Sequence, residues 1–378
     1  MVRFVHSADW QLGMTRHFFS PAAQATFSAA RLGALARIGA VAREQGCSFV
    51  VVSGDVFETN QVGRAVVAQA LDVMGRFAPE VTFYLLPGNH DPLDAGSVYR
   101  SRTFVDRRPG NVVVLEESEP MVVDAGVELV AAPWLTKRPL ADLLHDALAP
   151  LAADGTVRIV VGHGAVDALS PARDDPAAIS LGYLEAAMGA GVCHYVALGD
   201  RHSTTGVGES GRIFYAGTPE ATDYDEVCPG NVLVVSVEEA ACSVERVPVG
   251  TWRFVRREVQ LGGRGDCDAL IGWLEGFEDK ARTVVKLDLV GQLGVADKAF
   301  LDEQLDHQAD LFGALEVGGR RSELVVLANE ADVGDLGLEG YAREALDELR
   351  ALAGGQGEVA GVARDALGLL YRLVRGRA

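Results

Sequence analysis

The run Leu86-Pro87-Gly88-Asn89-His90-Asp91 decides the fold. It follows Val81-Thr82-Phe83-Tyr84-Leu85, an apolar, aromatic stretch that reads as a buried strand. Pro87 and Gly88 break that strand, so Asn89, His90 and Asp91 stand on the loop at its carboxyl end. Open α/β sheets gather their ligands along that edge. An amide oxygen, an imidazole and a carboxylate side by side suit a hard cation with a proton donor next to it.

Working outward, the same arrangement recurs. Residues 2–7 read as a strand that ends in His6-Ser7-Ala8-Asp9-Trp10-Gln11-Leu12-Gly13. Ser20-Pro21 is a helix start, and Phe27, Ala30, Ala34, Ile38 and Val41 mark one helical face. Ser48 to Val52 is a second strand, closed by Ser53-Gly54-Asp55-Val56-Phe57-Glu58, and a helix over 61–78 leads to the central run. Farther on, Arg158 to Val161 ends in Gly162-His163-Gly164, and 192–198 ends in Gly199-Asp200-Arg201-His202. The β-α-β-α-β order predicts an α/β layered domain with a site along one edge. Helices are expected near 138–152 and 177–188, and the strands near 204–208, 212–216, 231–237 and 242–248 predict an antiparallel second half.

After residue 250 the clusters stop. Strand, helix, strand, helix, strand over 252–327 predicts a small α+β domain at 251–333. Two amphipathic helices then occupy 334–378, with apolar stripes at Tyr341, Ala345, Leu349 and Leu352, and at Val359, Val362, Ala366, Leu370 and Leu373. Such a pair either packs on its own domain or docks on a partner.

Bulk properties narrow the function classes. The 378 residues are 48% apolar and 23% charged, ordinary for a globular chain of two or three domains. No run of about 18 apolar residues marks a membrane span. The N-terminus enters a strand at once, without a leader-peptide layout, so a cytoplasmic protein is expected. Five scattered cysteines without a C-x-x-C predict buried free thiols, not a disulfide framework or a zinc-thiolate site. A formal charge of −19 weighs against a general electrostatic grip on nucleic acid. Arg100, Arg102, Arg107 and Arg108 form a local basic cluster that either faces DNA or is a solvated helix face.

Collected, the strand-end groups are Asp9 and Gln11, Asp55, Asn89 and His90, His163, and Asp200 and His202. Singly each is ordinary, since an Asp after a strand is often only a turn residue. Together, oxygen and imidazole ligands without thiolates suit manganese, iron or zinc in a hydrolytic site. A carboxylate between two cations about 3.5–4 Å apart can bridge them, and the pair activates water and clamps a phosphate.

In this order, the motifs resemble those of calcineurin-like metallophosphoesterases, and most closely the SbcD-type nuclease subunits of SbcCD complexes. His6-Ser7-Ala8-Asp9-Trp10-Gln11-Leu12-Gly13 resembles that group's H-T-S-D-W-H-L-G, and Ile213-Phe214-Tyr215-Ala216-Gly217-Thr218-Pro219-Glu220 its Y-x-G-S-P segment. The resemblance covers residues 1 to about 250. It implies a four-layer metallophosphoesterase fold, two mixed β-sheets flanked by helices, with a capping domain and a C-terminal helix pair that binds a coiled-coil ATPase like SbcC. It also implies that Asp9, Gln11, Asp55 and His202 hold one metal, and that Asp55, Asn89, His163 and Asp200 hold the second. His90 would be the acid for the leaving group, with Glu58 orienting it. Manganese is the expected metal, with magnesium or iron as alternatives, and a homodimer is left open.

Two positions depart from the group's pattern: Gln11 and Asp200 stand where it has histidines. Asp200 adds a negative charge that favours manganese or magnesium over zinc, and Gln11 is a weak neutral ligand. Three readings follow: a DNA nuclease subunit, a small-molecule phosphodiesterase or phosphatase, and a weakly catalytic scaffold. Trp10 is open to base stacking or core packing, and Arg201 to a phosphate contact or a surface ion pair.

Overall fold

The structure is a computed structural model that describes residues 1–170, 175–238, 241–318, 322–327, 338–355 and 357–375. The chain divides into two compact units: Met1–His17 with Gln24–Trp252, and Phe18–Ala23 with the described residues from Arg253 onward. The expected boundary between 333 and 334 lies outside the described residues.

In the first unit the elements run β1 (Val2–Ser7), α1 (Pro21–Glu44), β2 (Phe49–Val52), α2 (Arg64–Gly75), β3 (Thr82–Leu85), α3 (Arg102–Arg107) and β4 (Val112–Val114). They continue with β5 (Met121–Asp124), β6 (Val127–Ala131), α4 (Leu143–Leu148), β7 (Val157–His163), α5 (Leu181–Gly189) and β8 (Tyr195–Gly199). Strands β9 (Thr205–Val207), β10 (Ile213–Tyr215), β11 (Asn231–Val237) and β12 (Cys242–Pro248) close the unit. One sheet has the order β12-β11-β1-β2-β3-β4 and the other β5-β6-β7-β8-β10-β9.

Between the sheets, Phe4, Phe49 and Val51 face Leu129, Ile159, Val161 and Tyr195, with Phe4 stacked on Phe49 at 5.1 Å. The opposite face of the first sheet (Val5, Val50, Val52) buries Leu35 and Ile38 of α1 and Leu71 and Met74 of α2. On the second sheet, Val130, Val160 and Val196 cover Leu144 and Leu148 of α4 and Leu184 of α5. Strands buried on both faces read as continuous Val/Ile runs, as β2 and β7 do. The result is the four-layer α/β arrangement, and each large side chain buried in it contributes about 1.5–3 kcal/mol.

Of the four short strands expected to be antiparallel, β9 pairs so with β10, β11 with β12 and β11 with β1, and only β10 runs parallel to a neighbour, β8. Strands β6, β7, β8 and β10 are parallel, and β5 and β9 pair antiparallel only at the edges. Strands β11 and β12 return to the first sheet instead. Direction is set by the crossovers through α4 and α5, which strand periodicity does not encode. Helix α4 is also shorter than 138–152, because the Asp142 side chain accepts from the Leu144 and His145 amides and starts it late.

Register aligns the site loops. Ser7 pairs with Val52, Val52 with Leu85, and His163 with Gly199, so five strands end together.

The second unit holds β13 (Arg253–Leu261), α6 (Arg264–Glu275), β14 (Thr283–Gly294), α7 (Val295–Ala309), β15 (Ala314–Val317) and β16 (Glu323–Leu327). Among the described residues its strand pairings are parallel, with β15 along the start of β14 and β16 along its end. Helices α8 (Tyr341–Ala353) and α9 (Glu358–Arg375) follow. Their buried sides are Leu346, Ala353, Ala363 and Leu367, packed with Val295 of α7. Most of the stripe expected from the sequence faces outward: Tyr341, Leu352, Val359 and Val362 are exposed. Each helix has two apolar sides, and alanines let helices approach closely, so the small-residue side is buried. The Leu373 side chain lies outside the described residues. Among the described residues no helix is long and apolar enough to cross a membrane.

Candidate metal centre

The carboxyl-end loops are strained where the ligand candidates stand. Asp9 (φ 54°), Gln11 (φ 42°), Asp55 (φ 54°) and Asp200 (φ 90°) all occupy left-handed backbone. Such conformations cost about 1–3 kcal/mol each and concentrate at functional sites. Main-chain bonds hold them: Asp9 N–H donates to Gly54 O (3.1 Å), Gln11 N–H to Asp55 O (2.8 Å) and Leu12 N–H to Val56 O (3.0 Å). Buried Arg31, from α1, donates through Nε and Nη2 to the Trp10 carbonyl (3.0 and 2.6 Å). The Thr218 hydroxyl lies 3.0 Å from the Asp9 carbonyl.

Oxygen and nitrogen acceptors converge above these loops. Ligand atoms of Asp9, Asp55 and His163 lie within 4.8 Å of one another. His163 Nε2 is 3.4 Å from Asp55 Oδ1, 3.8 Å from Asp200 Oδ1 and 2.8 Å from Asn89 Oδ1. With its oxygen inward, the Asn89 amide faces only acceptors; turned over, it would donate to His163 Nε2 (2.8 Å) and to both Asp55 oxygens (3.1 and 3.0 Å). Adjacent ligands of an octahedral ion with bonds near 2.1 Å are about 3 Å apart, so this spacing fits a hard cation. Asp9 Oδ2 and Gln11 Oε1 are buried without a hydrogen-bond partner, as ligand atoms would be. Asp9 Oδ1 accepts from the Asp200 amide at 3.0 Å, joining the two sheets.

Both histidines are turned by their far nitrogens. His163 Nδ1–H donates to the Ser53 carbonyl at 2.8 Å, and His202 Nδ1–H to Glu226 Oε1 at 2.9 Å, so each ring is held through Nδ1 and leaves Nε2 as the nitrogen able to ligate a metal. Clearance comes from glycine: a Cβ on Gly54 would lie 2.1 Å from His163 Nδ1, and one on Gly88 would lie 2.2 Å from Asp55 Oδ1.

Electrostatics point the same way. Burial pushes the Asp9 carboxyl up. Burial also raises Asp55, but the His163 charge beside it outweighs that and holds it below the ordinary carboxylate range. Burial alone would lower His163; the carboxylates of Asp55, Asp200 and Asp9 drive it strongly upward instead. A field that retains positive charge on a buried imidazole is one that attracts divalent cations.

His90 sits at the open side, its side chain 38% exposed, with Nε2 3.9 Å from Asp55 Oδ2. Its Nδ1–H meets Glu58 at 2.9 Å, through the main-chain carbonyl rather than the carboxylate. The Glu58 side chain is half-buried, and burial raises its carboxyl. Asp91 organises the loop: it accepts from Phe57 N–H (2.9 Å), Gly88 N–H (2.8 Å) and Tyr99 O–H (2.7 Å).

Trp10 is 1% exposed, donates to Ser7 Oγ at 2.8 Å and packs edge-on against Phe83, so it belongs to the core and cannot stack on a base. Exposed Arg201 donates to Thr205 Oγ1 at 3.1 Å, and Arg102 pairs with Asp106 at 3.1 Å. Cys228 is exposed, against the expectation of buried thiols, while Cys47, Cys193 and Cys267 are buried.

Sequence reading missed Glu226, Arg31 and the Ser53 carbonyl. Nothing in the sequence near Glu226 marks it, because its contact with His202 forms only once the loop folds back. Arg31 had one available signal, an arginine interrupting an apolar helical face.

The family model described as calcineurin-like phosphoesterase matches residues 2–190, half of the chain. No curated protein matches it. Among solved structures it is similar to a Thermus thermophilus protein, with a TM-score of 0.41 and 7% identity over 65% of this chain and 98% of that one. It is also similar to a dimetal phosphatase from Danio rerio, with a TM-score of 0.37 and 12% identity over 64% of this chain and 98% of that one. Ligand candidates brought together at one strand edge and a family match reaching from β1 through α5 lead to one conclusion: the chain belongs to the calcineurin-like phosphoesterase family.

Proposed function

We propose that this chain hydrolyses phosphodiester bonds of DNA as the nuclease subunit of an assembly with an SbcC-like coiled-coil ATPase, using two divalent cations, manganese foremost. The observation that carries the hydrolytic part is the set of acceptor atoms from both sheets meeting beside an exposed imidazole. Asp9, Gln11, Asp55 and His202 would hold one cation, and Asp55, Asn89, His163 and Asp200 the other. Bound there, two such ions supply an activated water and neutralise phosphoryl charge. His90 keeps one proton on Nδ1 against the Glu58 carbonyl and offers the other, on Nε2, to the leaving oxygen.

Support for the partner comes from the helix pair. Leu349, Leu352, Val359, Val362, Ala363 and Ala366 line an open apolar groove of about 340 Å³, the shape that takes an amphipathic helix. An ATPase that binds DNA would also offset the formal charge of −19. That same charge favours a second reading, a small-molecule phosphodiesterase, for which no polyanion need be held.

The test assays the full chain with manganese on linear duplex DNA and on an aryl phosphodiester, with and without the ATPase, beside His90→Ala and Asp55→Ala. DNA cleavage is expected, reduced about 100-fold or more in both variants. Cleavage of the aryl ester alone establishes the small-molecule reading. Inactivity on both, with the ATPase present, leaves the scaffold reading.

A further inference from the structure

The two histidines of the centre are backed by different chemistry. His163 gives its Nδ1–H to a neutral carbonyl, Ser53 O, at 2.8 Å. His202 gives its Nδ1–H to a carboxylate, Glu226 Oε1, at 2.9 Å. The Glu226 side chain is only 6% exposed. Its other oxygen accepts from the Thr222 amide at 2.9 Å, and the Thr222 hydroxyl donates to Oε1 while lying 2.8 Å from His202 Nδ1. Carboxylate, hydroxyl and imidazole therefore fix one another, and the ring can neither flip nor exchange tautomers without breaking a buried contact.

We propose that Glu226 is a positioning residue for the His202 metal site, fixing the direction of the His202 ring and placing behind it a carboxylate that the His163 site lacks. The inference rests on the metal-centre reading above. Of the ligands assigned to the His202 site, Asp9 and Asp55 are anionic and Gln11 is a neutral amide. The His163 site has Asp55 and Asp200 directly, and Asn89 as its amide. A carboxylate behind a ligating imidazole raises its basicity and fixes its direction, and removing such a partner costs 10–100-fold in metal affinity. The second site has no equivalent carboxylate, so the effect falls on one ion of the two.

Glu226→Gln separates this role from simple loop anchoring. Its single side-chain oxygen can serve the Thr222 amide only if its NH₂ faces His202 Nδ1. That turns Nδ1 into the acceptor and moves the ring proton to Nε2. The loop bond survives and the ligand atom is lost. Glu226→Asp keeps the charge on a shorter arm.

Manganese binding to the full-length protein, measured by titration calorimetry without substrate, should give two sites in the wild type. In Glu226→Gln one site should weaken 10–100-fold while the other holds within about 3-fold, with partial recovery in Glu226→Asp. Histidine-labelled ¹⁵N spectra of the metal-free wild type provide a second measurement that does not depend on a variant folding. Recorded at a pH high enough for the ring to be neutral, they should show His202 protonated at Nδ1 and bare at Nε2, with the pattern reversed in Glu226→Gln. Two unchanged sites in Glu226→Gln, or a wild-type His202 protonated at Nε2, overturn the role of Glu226 and leave the metal centre standing. A wild type that binds no manganese overturns the metal centre itself, and the inference with it.

Discussion

Gly88→Ala tests the geometry of the centre with a single methyl group. Gly88 does not occupy left-handed backbone, so alanine meets no conformational penalty there. The added Cβ would instead stand 2.2 Å from Asp55 Oδ1 and 2.6 Å from Asp55 N. Ordinary carbon–oxygen contact begins near 3.3 Å, so the carboxylate must retreat by about 1 Å. Rotation of the side chain relieves only the first clash, because the second is with backbone in a tight turn. The retreat also breaks the 3.0 Å bond from His90 N–H to Asp55 Oδ1 and lengthens the 3.4 Å approach to His163 Nε2. Misplacement by about 1 Å costs on the order of 100-fold in rate, which is about 2.7 kcal/mol of barrier. The overpacking itself should cost about 1–3 kcal/mol of stability. The assay is kcat/KM for an aryl phosphodiester with manganese, alongside manganese affinity and the thermal midpoint. Gly110→Ala is the control, since a Cβ there meets nothing within 4 Å. Gly88→Ala activity and manganese affinity within about 3-fold of wild type would falsify the placement of Asp55 at the heart of the centre.

Two further outcomes follow from the packing. Buried Glu220 accepts from Arg37 (2.6 Å), Thr251 N–H (2.8 Å) and Trp252 N–H (3.0 Å), so Glu220→Ala should cost about 3–5 kcal/mol in denaturant unfolding; a loss under 1 kcal/mol shows that this carboxylate is not needed to anchor residues 251–252. Burial pushes the Cys193 thiol up to about 12 and the Cys267 thiol up to about 11. The folded state holds those protons more tightly than the unfolded chain, so their contribution is intact below about pH 8.5 and is lost as pH rises through 11–12. At pH 8 a thiol reagent should therefore modify exposed Cys228 rapidly and Cys193 and Cys267 only on unfolding; fast labelling of all three in the native protein refutes that burial.

Much of the site was legible in the chain because its chemistry is local. Asp55 follows β2, Asn89 and His90 follow β3, and His163 ends β7. A strand of Val and Phe stopped by Gly or Pro announces both the sheet and the edge at which a polar side chain must emerge. The layered α/β fold followed from the same alternation of strands and helices. What the chain could not announce acts across long separations. Arg31 is 21 residues from the Trp10 carbonyl it satisfies, His163 is 110 from the Ser53 carbonyl that turns it, and Asp200 is 191 from Asp9. Glu226 looks like any loop acid until Thr222 and His202 close around it. Direction in the second sheet and the buried side of the helix pair were likewise settled by crossovers and close packing, not by periodicity. A sequence records which side chains a segment carries and when it must turn. Which carbonyl, carboxylate or Cβ then lies 3 Å away is fixed only when the two sheets pack, because that contact belongs to neither segment alone.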